Sequence, residues 1–341
     1  MSDDTHRLRA GQIGFVVAAF VALAAYPLVA GSYGLDLVTK IMIFAIFALS
    51  LELLVGGTGL VCFGHAAFFG IGAYATILLS PGYDPAHLLV LVPACVGAAA
   101  LYALAVGALS LRTKGVYFIM VTLAFAQMAY YVVHDTPLGG GTDGIYLNAK
   151  PAIPGVFELK GGLVIYGFTW ACLLGVFALL AVVSRSRFGR ALAGIRVNEQ
   201  RMRATGFATY PYKLAAFTLS GAIAGLAGFL FAVKDGYVNP ELMSWHLSGS
   251  VLIMIILGGL GHLRGALIGA FAYVLLQEFF KSEALFGSFA KHWHLGLGLT
   301  IIASVALLPR GLVGIPGQIA ARLSGRASRR AEATPGLKET R

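Results

Sequence analysis

The chain has 341 residues, of which 58% are hydrophobic and only 12% charged, with a mean hydropathy of +0.81. Soluble domains carry roughly 25% charged residues, so most of this surface cannot face water, and the length fits one polytopic membrane domain. The formal charge of +10 would suit a nucleic-acid partner, but no basic face interleaved with aromatics stands outside the apolar runs, which argues against that class.

A membrane crossing needs about 20 predominantly apolar residues. The first candidate covers 11–31, behind a short segment, 1–10, that holds Arg7 and Arg9 and is expected to be cytoplasmic. Leu28-Val-Ala30 has the look of a signal cleavage site. The apolar stretch is longer than the roughly 7–15 residues of a secretory signal, however, so an uncleaved span is expected.

The second and third runs cover 35–55 and 60–80. Gly56-Gly-Thr-Gly59-Leu-Val-Cys-Phe-Gly64-His65-Ala-Ala-Phe-Phe-Gly70-Ile-Gly72-Ala-Tyr74 joins them. Small residues at 66, 70 and 73 recur at helical spacing and let a neighbouring backbone approach closely. Two readings stand. The stretch is either helix packing alone, with His65 a satisfied packing histidine, or a broken element bordering a solute path, where irregular backbone is tolerated. On the second reading His65, Phe68 and Tyr74, with Gln127 from the fifth run, line the path.

The fourth and fifth runs cover 86–111 and 115–134, and the sixth 162–184. The connection between the fifth and sixth, near 28 residues, carries Gly139-Gly-Gly-Thr-Asp143-Gly144 with Pro137, Pro151 and Pro154. Turn chemistry explains these residues, while the length exceeds what a plain connection needs and would suit a partner arriving from the outer side. Cys62, Cys95 and Cys172 sit in or beside apolar runs with no C-x-x-C spacing, so they read as packing residues, with no metal site or disulfide.

The most informative segment is the charged loop 185–211, with six arginines and one glutamate between Arg185 and Gly206. It is too elaborate for a mere connection. Gly189, Arg190, Ala191, Arg196, Asn198, Glu199, Arg203 and Gly206 are its candidate functional residues. Asn198 can cap a helix start, Glu199 to Thr205 can make about two turns, and Gly206 can close them in left-handed geometry.

The remaining runs cover 212–233, 246–258, 265–281 and 292–309, the first with Gly221-x-x-x-Gly225-x-x-Gly228 and the third with Gly265-x-x-x-Gly269. The run 246–258 is short, beside Gly258-Gly-Leu-Gly261, a faint echo of Gly56-Gly-Thr-Gly59. The expected fold is an all-α polytopic membrane bundle of about ten transmembrane helices over 11–312. A basic tail, 313–341, has a disordered composition.

Lys and Arg set the orientation. With ten spans and the N-terminus inside, nineteen of the 25 basic residues are cytoplasmic, and Lys40, Lys150, Lys160, Lys234, Lys281 and Lys291 are outside. Both termini are then cytoplasmic, and both Gly-Gly-x-Gly turns face the inner side. The chain has no phosphate loop, no H-E-x-x-H and no G-x-S-x-G, so neither ATP hydrolysis nor another catalytic role is expected, and no cofactor. Within the runs acidic residues are almost absent, with Asp36, Glu52 and Glu278 each near a run end, which disfavours an ion-driven carrier, since such carriers usually keep ionisable groups near the midplane.

Taken together, Phe63-Gly-His-Ala-Ala-Phe-Phe-Gly-Ile-Gly-Ala-Tyr74, Gly139-Gly-Gly-Thr-Asp-Gly144, Gly189-Arg-Ala-Leu-Ala-Gly-Ile-Arg196, Leu219-Ser-Gly-Ala-Ile-Ala-Gly-Leu-Ala-Gly228, Leu257-Gly-Gly-Leu-Gly261 and Leu308-Pro-Arg-Gly-Leu312 are specific. Over about 35–320 the chain resembles the permease subunit of branched-chain amino acid ABC importers, the longer of the two homologous permeases. Cys62 and His262 depart from the small residues expected there. The resemblance implies a ten-span permease of the bacterial inner membrane. Its expected partners are a second homologous permease, two ABC ATPase subunits and a periplasmic binding protein that delivers leucine, isoleucine or valine. It also implies that the loop 185–211 carries a coupling helix seated on an ATPase. Permeases of this kind for urea, short amides or an aromatic acid are the alternative, and a stand-alone carrier or channel a more distant one.

Overall fold

The computed structural model describes residues 14, 16–153, 157–308 and 311–314. The segment 1–10 and nearly all of the tail lie outside the described residues. In chain order the helices are α1 (Val16–Leu28), α2 (Ser32–Thr58), α3 (His65–Leu78), α4 (Leu88–Ser110), α5 (Val116–Asp135), α6 (Gly162–Arg185), α7 (Arg187–Val197), α8 (Glu199–Ala204), α9 (Thr209–Asp235), α10 (Trp245–Gly258), α11 (Leu263–Lys281), α12 (Glu283–Phe286) and α13 (Trp293–Leu307). All ten apolar runs contain a helix, and the bundle is all-α. Six helices, α2, α4, α5, α6, α9 and α11, are long and apolar enough to cross a membrane. The other four are shorter, with α13 at 15 residues, so ten crossings is a proposal that rests on them.

The axis of the bundle is the pair α2 and α9, whose apolar stretches are 89% and 72% buried. A helix apolar around its whole circumference must be enclosed by protein or lipid, and α2 is enclosed by α6, α9, α10 and α11. The glycine stripe of α9 explains how α3 and α4 come so near. A β-carbon at Gly228 would land on the Phe69 carbonyl, and one at Gly72 on the Gly225 carbonyl. On the other side, Ala99 and Ala103 of α4 rest on Gly225 and Gly221. This is the small-residue packing that the spacing predicts.

The third run does not start where hydropathy places it. Gly59 ends α2 in left-handed geometry, φ 77°, and helix resumes only at His65. Residues 59–64 are irregular backbone with Cys62 buried, a form tolerated at membrane depth only when protein surrounds it. The long connection after α5 is ordered in short pieces. Ile145–Tyr146 pairs antiparallel with Tyr237–Val238, and Ala152–Ile153 with Phe157–Glu158.

The connections gather at two ends. One end collects the turns after α2, α4, α10 and α13, and the pair α7–α8. It carries Arg112, Lys114, Arg185, Arg187, Arg190, Arg196, Arg201, Arg203, Lys213 and Arg264. Toward the other end lie Lys40, Lys150, Lys160, Lys234, Lys281 and Lys291. Both Gly-Gly-x-Gly turns lie at the basic end and meet there, because the Arg196 side chain lies close to both Gly59 and Gly261.

Candidate functional site

Two short helices make the basic end. Ser186 caps α7, its hydroxyl accepting from the Gly189 amide at 3.2 Å. The helix is amphipathic, with Ala191, Leu192 and Ile195 buried and Arg187, Arg190 and Arg196 exposed. Leu192 rests beside Gly57 of α2, and a side chain at Gly189 would strike the α6 backbone at Val183 and Ser184. Thus α7 is fastened flat against the ends of α2 and α6.

Asn198 starts α8, its side-chain oxygen accepting from the Arg201 amide at 2.9 Å. Gly206 ends it at φ 85°, with Gly206 N–H donating to the Arg203 carbonyl and Phe207 N–H to the Met202 carbonyl, the bond pair of a Schellman close. Between these caps Glu199 Oε1 accepts from Arg203 at 2.5 Å, Thr209 at 3.0 Å and Lys213 at 2.8 Å. Partial burial by itself would raise the Glu199 carboxyl. The Lys213 bond and charge, with Thr209 and Arg203, outweigh burial and hold it down at about 2. One carboxylate therefore ties α8 to the first turn of α9.

Arg196 turns inward. Its guanidinium donates to the Gly56 carbonyl at 2.5 Å, while the Gly261 amide donates to Glu52 at 2.7 Å. The ends of α2 and α7 and the α10–α11 turn are thereby linked through adjacent groups. Arg190 donates to the Arg185 carbonyl at 3.1 Å. So of the eight sequence-derived residues, Gly189, Asn198 and Gly206 shape the backbone, Ala191 is core, Glu199 and Arg203 form an internal clamp, Arg190 bonds back to the end of α6, and Arg196 binds the bundle. The outward surface includes two residues that sequence reasoning missed, Val197 at 83% exposed and Phe207 at 41%. Ser186, Thr209 and Lys213 were missed as well. A lysine in the first turn of an apolar run, downstream of a lone glutamate, was the available signal.

The proposed path residues separate. His65 is fully buried on the ring of Phe47 and edge-on to Phe68, and its Nε2 pairs with Ser50 Oγ at 2.8 Å. Ser220 donates to the Ser50 carbonyl, and the Ala66 amide donates to Ser248, so three serines overlooked in the sequence complete a polar knot among α2, α3, α9 and α10. Tyr74 lies further along α3, in a separate cluster with Val238 and Met243. Gln127 is on the outer face of α5, in a concavity of about 580 Å³ with Ala124, Met128, Tyr131 and Val132. Among the described residues no group of three His, Cys, Asp or Glu side chains is placed to hold a metal.

A family model described as the permease component of the branched-chain amino acid transport system matches residues 33–305. The chain is 31% identical over 326 residues to the high-affinity branched-chain amino acid transport system permease protein LivM of Escherichia coli K12, covering 88% of this chain and 74% of the relative. The LivM protein of Salmonella typhimurium matches to the same extent. The autoinducer 2 import system permease protein LsrC of Yersinia enterocolitica is 29% identical over 113 residues, 32% of this chain and 31% of that protein. No solved structure is matched.

Proposed function

The chain belongs to the family of branched-chain amino acid transport permease components, and from that membership we propose that it is one of two homologous permease subunits of an ATP-binding-cassette importer in the bacterial inner membrane. The two permeases form the path for leucine, isoleucine and valine. A periplasmic binding protein delivers the amino acid to the ordered connection after α5, and two separate ATPase subunits hydrolyse the ATP. Both termini and the α7–α8 pair are cytoplasmic.

The observation that carries this reading is the build of α7–α8. A helix of six residues cannot stand alone in water, since isolated helices below about 12–15 residues are marginal. Here α8 is capped at both ends, clamped to α9, and joined through α7 and Arg196 to the turns of α2 and α10–α11. An ATPase that moves α8 thus moves four spans at once, which is what alternating access requires. Val197 and Phe207 are its apolar contacts on the ATPase, with Arg201 as the charged one. The path runs along the α5 face that bears Gln127, which the described residues leave largely open. His65, Phe68 and the serine knot hold α3 behind that face and keep Tyr74 in register.

The test is uptake of labelled leucine, isoleucine and valine in cells carrying the four partner subunits, together with ATP hydrolysis by the purified assembly. Phe207→Ala and Arg196→Glu are expected to leave assembly and binding-protein docking intact while removing most substrate-stimulated ATP hydrolysis. Unchanged stimulation in both variants, or uptake that persists under ATP depletion with an ion gradient intact, would overturn the reading.

A further inference from the structure

We propose that the groove between α1 and α11 is a binding site for one anionic phospholipid of the basic-side leaflet, with Arg264 holding its phosphate. Among the described residues, the side-chain hydrogen bonds and ring contact that fasten α1 run to α6. Tyr166 donates to the Leu23 carbonyl at 2.6 Å, Trp170 donates to the Phe20 carbonyl at 3.2 Å, and the Phe20 and Phe177 rings meet at 5.6 Å, all toward α6. Toward α11 a cavity of about 510 Å³ remains, where Ala19, Phe20 and Leu23 look across to Leu267, Ile268 and Phe271. That volume falls in the roughly 300–1,000 Å³ of sites that hold whole small molecules.

Its chemistry selects the occupant. The lining is aliphatic and aromatic except for Tyr26 and Arg264. Water does not fill such a space, because apolar cavities stay dry, and a vacuum there would forfeit the contacts of every lining side chain. The transported amino acid does not fit either, because its ammonium group needs an acceptor and the lining holds no carboxylate. An acyl chain fits.

The depth agrees. From Arg264 to Ala272 the groove follows eight residue-to-residue steps of α11 and from Val16 to Tyr26 ten of α1, or about 12–15 Å at about 1.5 Å per step. One leaflet supplies half of a hydrocarbon layer of about 30 Å. The groove is therefore one leaflet deep, and its mouth is at the basic end.

At that mouth stands Arg264 in the first turn of α11. None of the ion pairs or side-chain hydrogen bonds among the described residues involves it. An arginine lining the mouth of an acyl-sized slot matches the basic pockets between spans that take anionic headgroups on the cytoplasmic side, and its planar fork suits a phosphodiester.

Native mass spectrometry of the intact assembly tests this, with phosphatidylglycerol and phosphatidylethanolamine of identical acyl chains as probes. The parent is expected to retain one phosphatidylglycerol with a preference of about fivefold or more, the scale of one basic residue acting at a headgroup. Arg264→Gln should reduce the preference to near unity while still binding either lipid, and Arg264→Lys should restore most of it. Ile268→Trp, which fills the slot and leaves the arginine, should expel both lipids. A preference that survives Arg264→Gln, or lipid retained by Ile268→Trp, would overturn the proposal. So would a photoreactive group at Ala19 that cross-links to a partner subunit or to the chain's own first residues instead of to lipid.

Discussion

At the scale of single residues, Glu199 decides whether α8 exists. Lys213 beside it is only 4% exposed in its side chain, so losing the carboxylate strands a buried ammonium, which costs more than the bond itself is worth. Glu199→Gln is therefore expected to raise hydrogen exchange across 199–206 at neutral pH while sparing α9 beyond its first turn. The pH dependence has a definite sign. The folded carboxyl sits at about 2, below its ordinary value of about 4.3, so the clamp contributes fully above about pH 4.3 and is lost as pH falls toward 2. Exchange in the parent, corrected for intrinsic rates, should stay flat from pH 8 to 5 and rise only below that. A rise near pH 6 would mean that a histidine, not Glu199, controls the loop. Gly206 is a cleaner case, since nothing lies within 4 Å of where its β-carbon would be. Gly206→Val thus adds backbone strain of about 1–3 kcal/mol with no clash. It should uncouple ATP hydrolysis from uptake without lowering the amount of assembled transporter.

At the scale of elements, two kinds of glycine look alike in sequence and differ in space. A β-carbon at Gly228 would meet the Phe69 carbonyl and the Ala73 amide, whereas one at Gly175 on α6 meets nothing within 4 Å. Gly228→Ala must push α3 off α9 and is expected to lower thermal stability of the detergent-solubilised protein by several degrees. Gly175→Ala should be neutral or slightly stabilising, because alanine is the better helix former by about 1 kcal/mol. Equal effects from the two would refute the close α3–α9 contact. The same contrast shows what the sequence reveals. Runs of apolar residues mark where every long helix lies, because burial in lipid demands them. Hydropathy cannot separate helix from irregular chain inside an apolar run, which is why the run from 60 hides an irregular stretch as far as Gly64. Nor can it tell which face of a helix is covered, so Tyr74 and Gln127 looked like neighbours of His65 and are not. Asn198 and Gly206 were readable because capping is local chemistry. The reach of Arg196 to Gly56, 140 residues away, has no local signature.

At the scale of the whole molecule, the proposed orientation rests on the basic end, because the helices alone leave it open. Cysteine introduced for Val197, 83% exposed at the basic end, should react with a membrane-impermeant maleimide only in opened cells. Cysteine for Tyr83, 94% exposed at the other end, should react in intact cells. Two native cysteines are buried, and Cys172 is partly buried within α6, so the background should be low. The reverse pattern would invert the bundle and move α7–α8 away from any cytoplasmic ATPase. The sides of the bundle raise a different question. Only 17% of the apolar stretch of α5 is buried, and its open face mixes Tyr117, Met120, Met128 and Tyr131 with the amide of Gln127. Lipid offers that amide no partner, and an unsatisfied polar group in hydrocarbon costs several kcal/mol. Adaptable methionines beside tyrosines suit a protein surface better than acyl chains. The second permease is therefore expected on α5, with the amino acid passing between the two chains. Cysteine at Met128 should cross-link to a cysteine scan of the partner permease. Cysteine at Ile302 on α13, exposed to a similar extent at 67% against 61% for Met128 but on a face without polar groups, should not. Cross-linking through α13 with none through α5 would place the partner, and with it the transport path, on the opposite side of this chain.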